Sequence, residues 1–151
     1  MNKYVVDTSV SAKLFLEDED DRDTALEVFR QGNSGAIVLI SPSLTWYELN
    51  NVLAKEKIPL EDIKRHLSLF RMQVKNNALR VISVSEILLN KSSELSMLDT
   101  QGKGYISSYD ATFHALALLE NASLITADEK HYNKTKNLIG SVMLLKDFGR
   151  Y

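Results

Sequence analysis

The sequence contains no cysteine. That removes disulfides, thiolate metal sites and cysteine nucleophiles, and it suits a reducing compartment such as the cytoplasm. Proline occurs twice and glycine six times, so no proline- or glycine-rich linker divides the chain. No run approaches the roughly 18 consecutive apolar residues that a membrane helix needs. In the opening stretch "MNKYVVDTSVSAKLFLED", Asp7 and Lys13 interrupt the apolar run before the core of a signal peptide can form. Charge of one sign is not in excess either: the formal net charge of −2 argues against a surface that grips nucleic acid on all sides.

What is present is the composition of a folded chain. Of 151 residues, 44% are hydrophobic and 25% charged, which predicts one domain over residues 1–151 with a sizeable core. The charges are segregated. Glu17 to Glu27 holds seven acids and one base, whereas Lys55 to Arg80 holds seven bases against three acids. Both stretches read as solvated helix surface, and the second also as a basic face for phosphates.

Short β-branched runs alternate with longer amphipathic ones. Lys3 to Val6, Ala36 to Ile40, Leu79 to Val84, Ser123 to Thr126 and Val142 to Leu145 read as strands. Helical patterns fall between them: Val10 to Leu16, Arg22 to Gln31, Leu44 to Lys55, Leu60 to Asn76, Glu86 to Leu98 and Ser108 to Glu120. In the fourth, the spacing of Ile63, Leu67, Phe70 and Val74 places them on a core face. Continuously apolar strands alternating with helices predict an α/β fold whose parallel sheet is covered on both faces. "DTQGKGY" (Asp99 to Tyr105) is the most loop-like segment and is expected to be mobile.

Four acids stand where such a sheet forms sites. Asp7 closes the first strand, Asp128 follows the fourth, Glu48 lies in the first turns of the third helix, and Asp110 opens the helix before the fourth strand. Strand C-terminal ends and the N-termini of the following helices share one edge of an open parallel sheet. Two carboxylates about 5 Å apart at an effective dielectric near 20 repel by roughly 3 kcal/mol. A cation resolves that repulsion, and an all-oxygen set suits Mg²⁺ or Mn²⁺. Such an ion supports phosphodiester hydrolysis. Each acid also has a plainer reading: Asp7 as a helix N-cap, Asp110 with Ser107 in a capping box, Asp128 as the cap of a turn entering "EKHY", and Glu48 as an exposed helix residue.

Together "YVVDTSV", "ISPSLTWYELNNVL", "YDATFHALALLENASLITADEK" and "VMLLKDF" resemble the PIN-domain family, and in length and layout its single-domain toxins of the VapC type. The resemblance implies a three-layer fold with a central, mainly parallel sheet of about five strands flanked by helices. It also implies a Mg²⁺- or Mn²⁺-dependent endoribonuclease acting on RNA, often a homodimer and often restrained by a cognate antitoxin. The family's acids fall on Asp7, Glu48, Asp110 and Asp128, and Thr8 and Thr126 match positions that support them. Phe113 stands where the family often has tyrosine, and Glu129 where a base is more usual. His114 is expected to pack at the helix surface or make a local hydrogen bond, His66 and His131 show no partner pattern, and Trp46 is expected in the core or a dimer contact. Two alternatives stay open: an RNA-processing nuclease of the family without an antitoxin, and a non-catalytic protein-binding module of the same fold.

Overall fold

Strands form at the predicted β-branched runs, except that the second is shifted two residues on, to Val38–Pro42 in place of Ala36–Ile40. In the computed structural model, which describes residues 1–150, β1 (Lys3–Val6), β2 (Val38–Pro42), β3 (Arg80–Ile82), β4 (Ser123–Thr126) and β5 (Val142–Leu144) form one sheet in the order β3-β2-β1-β4-β5. Every neighbouring pair is parallel, so the expected mainly parallel sheet is parallel throughout. The central strand β1 shows why its residues are apolar without alternation. Val6 packs with Val28, Leu49, Phe70 and Ile125 on one side, and Val5 packs with Phe113, Leu116 and Leu124 on the other.

Helices cover both faces. On the Val6 side lie α1 (Thr8–Ser11), α2 (Arg22–Ser34), α3 (Thr45–Lys55) and α4 (Leu60–Lys75); on the Val5 side lie α5 (Glu86–Ser96) and α6 (Ser108–Leu119); α7 (Glu129–Thr135) connects β4 to β5. The face predicted for α4 is the one that packs: Ile63 and Phe70 are buried, with Leu67 and Val74 against the same cluster. Gly35, at φ 77°, ends α2, and the Ala36 N–H reaches back to the Gln31 carbonyl (3.0 Å). Within α2, Gly32 is required by proximity, because a Cβ there would lie 2.6 Å from the Ala78 carbonyl oxygen and 2.7 Å from Leu39 Cδ1.

The structure departs from expectation at the first helix and at α7. The first helix starts two residues earlier, at Thr8, and tightens into a 3₁₀ turn over Ala12–Leu14. In α7, only His131 and Thr135 are buried, both polar, so no apolar period announced a helix. No helix among the described residues is long and apolar enough to cross a membrane.

Parallel pairing brings the C-terminal ends of all five strands to one rim. α6 runs back against the sheet before feeding β4, so its N-terminus lies on that rim too, as do the N-termini of α3 and α7.

Candidate active site

Asp7, the residue after β1, is fixed by its neighbours on the rim. Its Oδ2 accepts from Thr126 Oγ1 (2.7 Å) and from Ser9 Oγ (2.9 Å). Thr126 ends the adjacent strand β4 and is fully buried, and its hydroxyl also accepts the Asp128 N–H (3.0 Å). Ser9 Oγ in turn accepts the Ala127 N–H (3.0 Å). Ser9 was not singled out in the sequence; the available signal was its place two residues after Asp7, where a hydroxyl can turn back on the carboxylate.

Glu48 and Asp110 approach Asp7 from two helices. Asp110 sits in the first turn of α6, where its N–H donates to the N-cap Ser107 Oγ (3.1 Å) and the helix dipole favours its charge. Glu48, in the first turn of α3, is half-buried, and its Oε1 has no hydrogen-bond partner. Burial pushes its carboxyl up to about 8, reinforced by the charges of Asp7 and then Asp110. The Thr8 hydroxyl is near enough to offset part of this, yet it stops short of a completed bond and Thr8 Oγ1 is also buried without a partner. Asp7 is likewise raised above the ordinary carboxylate range, first by burial and further by Asp110; the Thr126 and Ser9 hydroxyls and His131 work in the opposite direction. Three of the four predicted acids are therefore close enough to repel one another.

Asp128 is placed differently. Its Oδ1 caps α7, accepting the backbone N–H groups of Lys130 (2.9 Å) and His131 (3.1 Å), and its charge is not among those that raise Asp7 or Glu48. It reaches the cluster through Thr126, so the plainer capping reading holds for this residue whatever else it does. Among the described residues, no group of three or more His, Cys, Asp or Glu side chains is drawn together closely enough to hold a metal ion.

His114 is not at the helix surface as expected; it is fully buried. Its Nε2 lies 2.7 Å from the Gly140 carbonyl, which requires the proton there, so Nδ1 accepts from His131 Nε2 at 3.0 Å. His131 Nδ1 is left buried without a partner. Burial drives the His114 ring down to about 4 and keeps it neutral. The pair joins α6 to α7 one turn below Asp110 and Asp128, a contact across 17 residues that no sequence spacing could signal.

Four of the seven bases in the basic stretch are engaged within their own helix or placed away from the acids. Lys64 and Arg65 pair with Glu61 (3.3 Å) and Asp62 (2.8 Å) of their own helix, while Lys75 ends α4 and Arg80 opens β3, on the rim opposite the site. Trp46 packs edge-on against Phe70 with Arg71 over its ring, in agreement with the core reading. Neither the hollow of about 470 Å³ between Phe15 to Glu19 and the α3–α4 junction nor that of about 490 Å³ along Glu17 to Thr24 is lined by any of the four acids.

The PIN domain model matches residues 4–137, and the chain belongs to the PIN domain family. No protein of curated function matches the sequence. Among solved structures, the chain resembles VapBC2 from Rickettsia felis bound to a DNA fragment from its promoter, at 21% identity and a TM-score of 0.65 over 94% of this chain and 96% of that one. DNA-bound VapBC from Salmonella typhimurium matches at 14% identity and a TM-score of 0.67, covering 95% and 97%. Mycobacterium tuberculosis VapC20, a toxin that cleaves the sarcin–ricin loop, matches at 19% identity and a TM-score of 0.62, covering 82% and 87%. These likenesses concern the fold, which is the α/β PIN fold expected from the sequence.

Proposed function

We propose that the protein is a divalent-metal-dependent endoribonuclease of the VapC type that hydrolyses RNA phosphodiester bonds in the cytoplasm, with Asp7, Glu48, Asp110 and Asp128 as its working acids. The observation that carries this reading is the uncompensated carboxylate cluster. Asp7 and Glu48 are both raised by burial and by Asp110, and Glu48 Oε1 has no completed hydrogen bond. A sheet edge gains nothing from such repulsion unless a cation shares it.

The donor set fits Mg²⁺ or Mn²⁺: all oxygen, partly open to water, and without a histidine in the cluster. Because no three side chains converge tightly, the ion would be held by one or two carboxylates and by waters hydrogen-bonded to the others, which is the usual habit of Mg²⁺. When bound, it would neutralise the cluster and make a water acidic enough to attack phosphorus at neutral pH. Asp7, held by Thr126 and Ser9, and Asp110, held at the start of α6, would hold the ion directly. Asp128 would orient a water through Oδ2 while Oδ1 keeps the cap. Glu48, whose Oε1 makes no hydrogen bond, would accept a proton from the attacking water once the ion's charge lets its carboxyl ionise.

A cognate antitoxin belongs to the same reading, supported by the likeness to VapBC structures, and a homodimer is proposed with it. A cationic side chain from such a partner, set among these acids, would compete with the metal. The test is incubation of wild-type and Asp7→Asn protein with mixed single-stranded and structured RNA, with Mg²⁺, Mn²⁺ or chelator. Metal-dependent cutting lost in the variant is expected; cutting retained by the variant or in chelator would refute the reading.

A further inference from the structure

We propose that the loop over residues 99–106 and α7 form a shelf that takes single-stranded RNA beside the acids, with Lys103, Lys130 and Lys134 on phosphates and Tyr105 stacked on a base. The proposal rests on the nuclease reading and adds how substrate is gripped.

The loop expected to be mobile is fastened to α7. Lys103 Nζ donates to the Asn133 carbonyl (3.3 Å) and Lys134 Nζ to the Tyr105 carbonyl (3.0 Å). Gly104, at φ 88°, takes the left-handed conformation that favours glycine and lies next to the Lys134 side chain. Between loop and helix is a hollow of about 180 Å³ lined by Lys103, Lys134, Asn133 and Asn137; its one carboxylate, Asp99, accepts the Gln101 N–H (2.8 Å).

Two features make this an anion site. Lys103, Lys130 and Lys134 take part in none of the seven ion pairs among the described residues. Lys103 and Lys134 direct one ammonium hydrogen each at a carbonyl, which leaves donors free. Their place in the fold matters equally. α7 starts at Asp128 with Lys130 in its first turn, the loop runs into the helix that opens with Asp110, and Lys134, from the last turn of α7, reaches the loop at the Tyr105 carbonyl, whereas Lys75 and Arg80 lie on the opposite rim. A polyanion approaching an acidic rim needs such cations beside it. Tyr105 is 76% exposed although its carbonyl is fixed, which presents a ring to an unpaired base and not to the closed edge of a duplex.

The test measures binding of a short labelled mixed-sequence oligoribonucleotide, and of its duplex, by Asp7→Asn protein across a salt series. Adding Lys103→Gln, Lys130→Gln and Lys134→Gln together should weaken binding roughly ten-fold or more and shrink the slope of log K against log salt by about 2. The matching triple arginine variant should restore both. Tyr105→Ala should weaken single-strand binding roughly five-fold or more, leaving duplex binding and the salt slope unchanged. Lys75→Gln with Arg80→Gln should change nothing. A glutamine triple variant that binds RNA like its parent would overturn the shelf, and if that variant instead lost an acidic peptide, the surface would be a protein dock. Absence of RNA binding by Asp7→Asn together with absence of cutting by wild type would remove the nuclease reading and the shelf with it.

Discussion

Thr126 donates a hydrogen bond to Asp7 across the β1–β4 pair at 2.7 Å, and through the same oxygen it accepts the Asp128 N–H. One buried hydroxyl thus sets the spacing of two strand ends that carry acids. Thr126→Val keeps the shape and removes both bonds, leaving a carboxylate oxygen and an N–H less well satisfied. A loss of about 1–3 kcal/mol in urea unfolding is expected, with weaker Mn²⁺ binding, and Thr126→Ser should recover most of both.

Glu48 makes the metal-free protein sensitive to alkali. Its carboxyl titrates near 8 in the fold against 4.5 in the unfolded chain, so the folded state holds the extra proton between those values. Its contribution is full below about pH 4.5 and is lost as pH rises through 8; Asp7, also raised, acts in the same direction. His114 acts oppositely, since its ring falls to about 4 from 6.5 and its contribution is lost as pH drops through that window. Between pH 6.5 and 8 the acids act without that opposition. Thermal melts in chelator should show stability falling there by on the order of 1–2 kcal/mol, after allowance for the partial solvent access of Glu48. Glu48→Gln should flatten the fall and raise the melting temperature while abolishing RNA cleavage.

Asp128 has two roles that substitution can separate. Asparagine caps a helix about as well as aspartate, so Asp128→Asn should keep the stability of α7, whereas Asp128→Ala should cost about 1 kcal/mol. If the free oxygen serves the reaction, both variants lose RNA cleavage. A fully active Asp128→Asn would reduce this residue to a cap.

Much of this was legible because strand and helix signals agreed. β1 and β4 fall at their predicted residues, and Asp7, Glu48 and Asp110 meet because parallel pairing sends strand ends and helix starts to one rim. α7 was not legible: seven mostly polar residues carry no apolar period, and its start is marked only by a cap on a residue also suited to metal. The His114–His131 pair depends on how two helices pack, and Ser9 on a hydroxyl folding back over two residues. The basic stretch from Lys55 to Arg80 read first as solvated helix surface, and Lys64 and Arg65 stand exposed on α4; sequence shows how many charges there are but not which rim they reach.

Gly32 tests the packing of α2 on the sheet. Alanine favours a helix over glycine by about 1 kcal/mol, yet its Cβ would meet the Ala78 carbonyl at 2.6 Å and the buried Leu39 side chain at 2.7 Å. Overpacking of that kind costs about 1–3 kcal/mol, so Gly32→Ala should be destabilising in denaturant unfolding despite the better propensity.

The central claim is that Asp7, Glu48 and Asp110 are held together because they share a divalent ion. Calorimetric titration of Mn²⁺ into wild-type and Asp7→Asn protein near pH 8, where Glu48 begins to ionise, tests it most directly. Repeating the titration in buffers of different ionisation enthalpy counts the protons released. Saturable binding with proton release is expected in wild type, and little or none in the variant. Equal binding by the two proteins, or none by wild type, would contradict it.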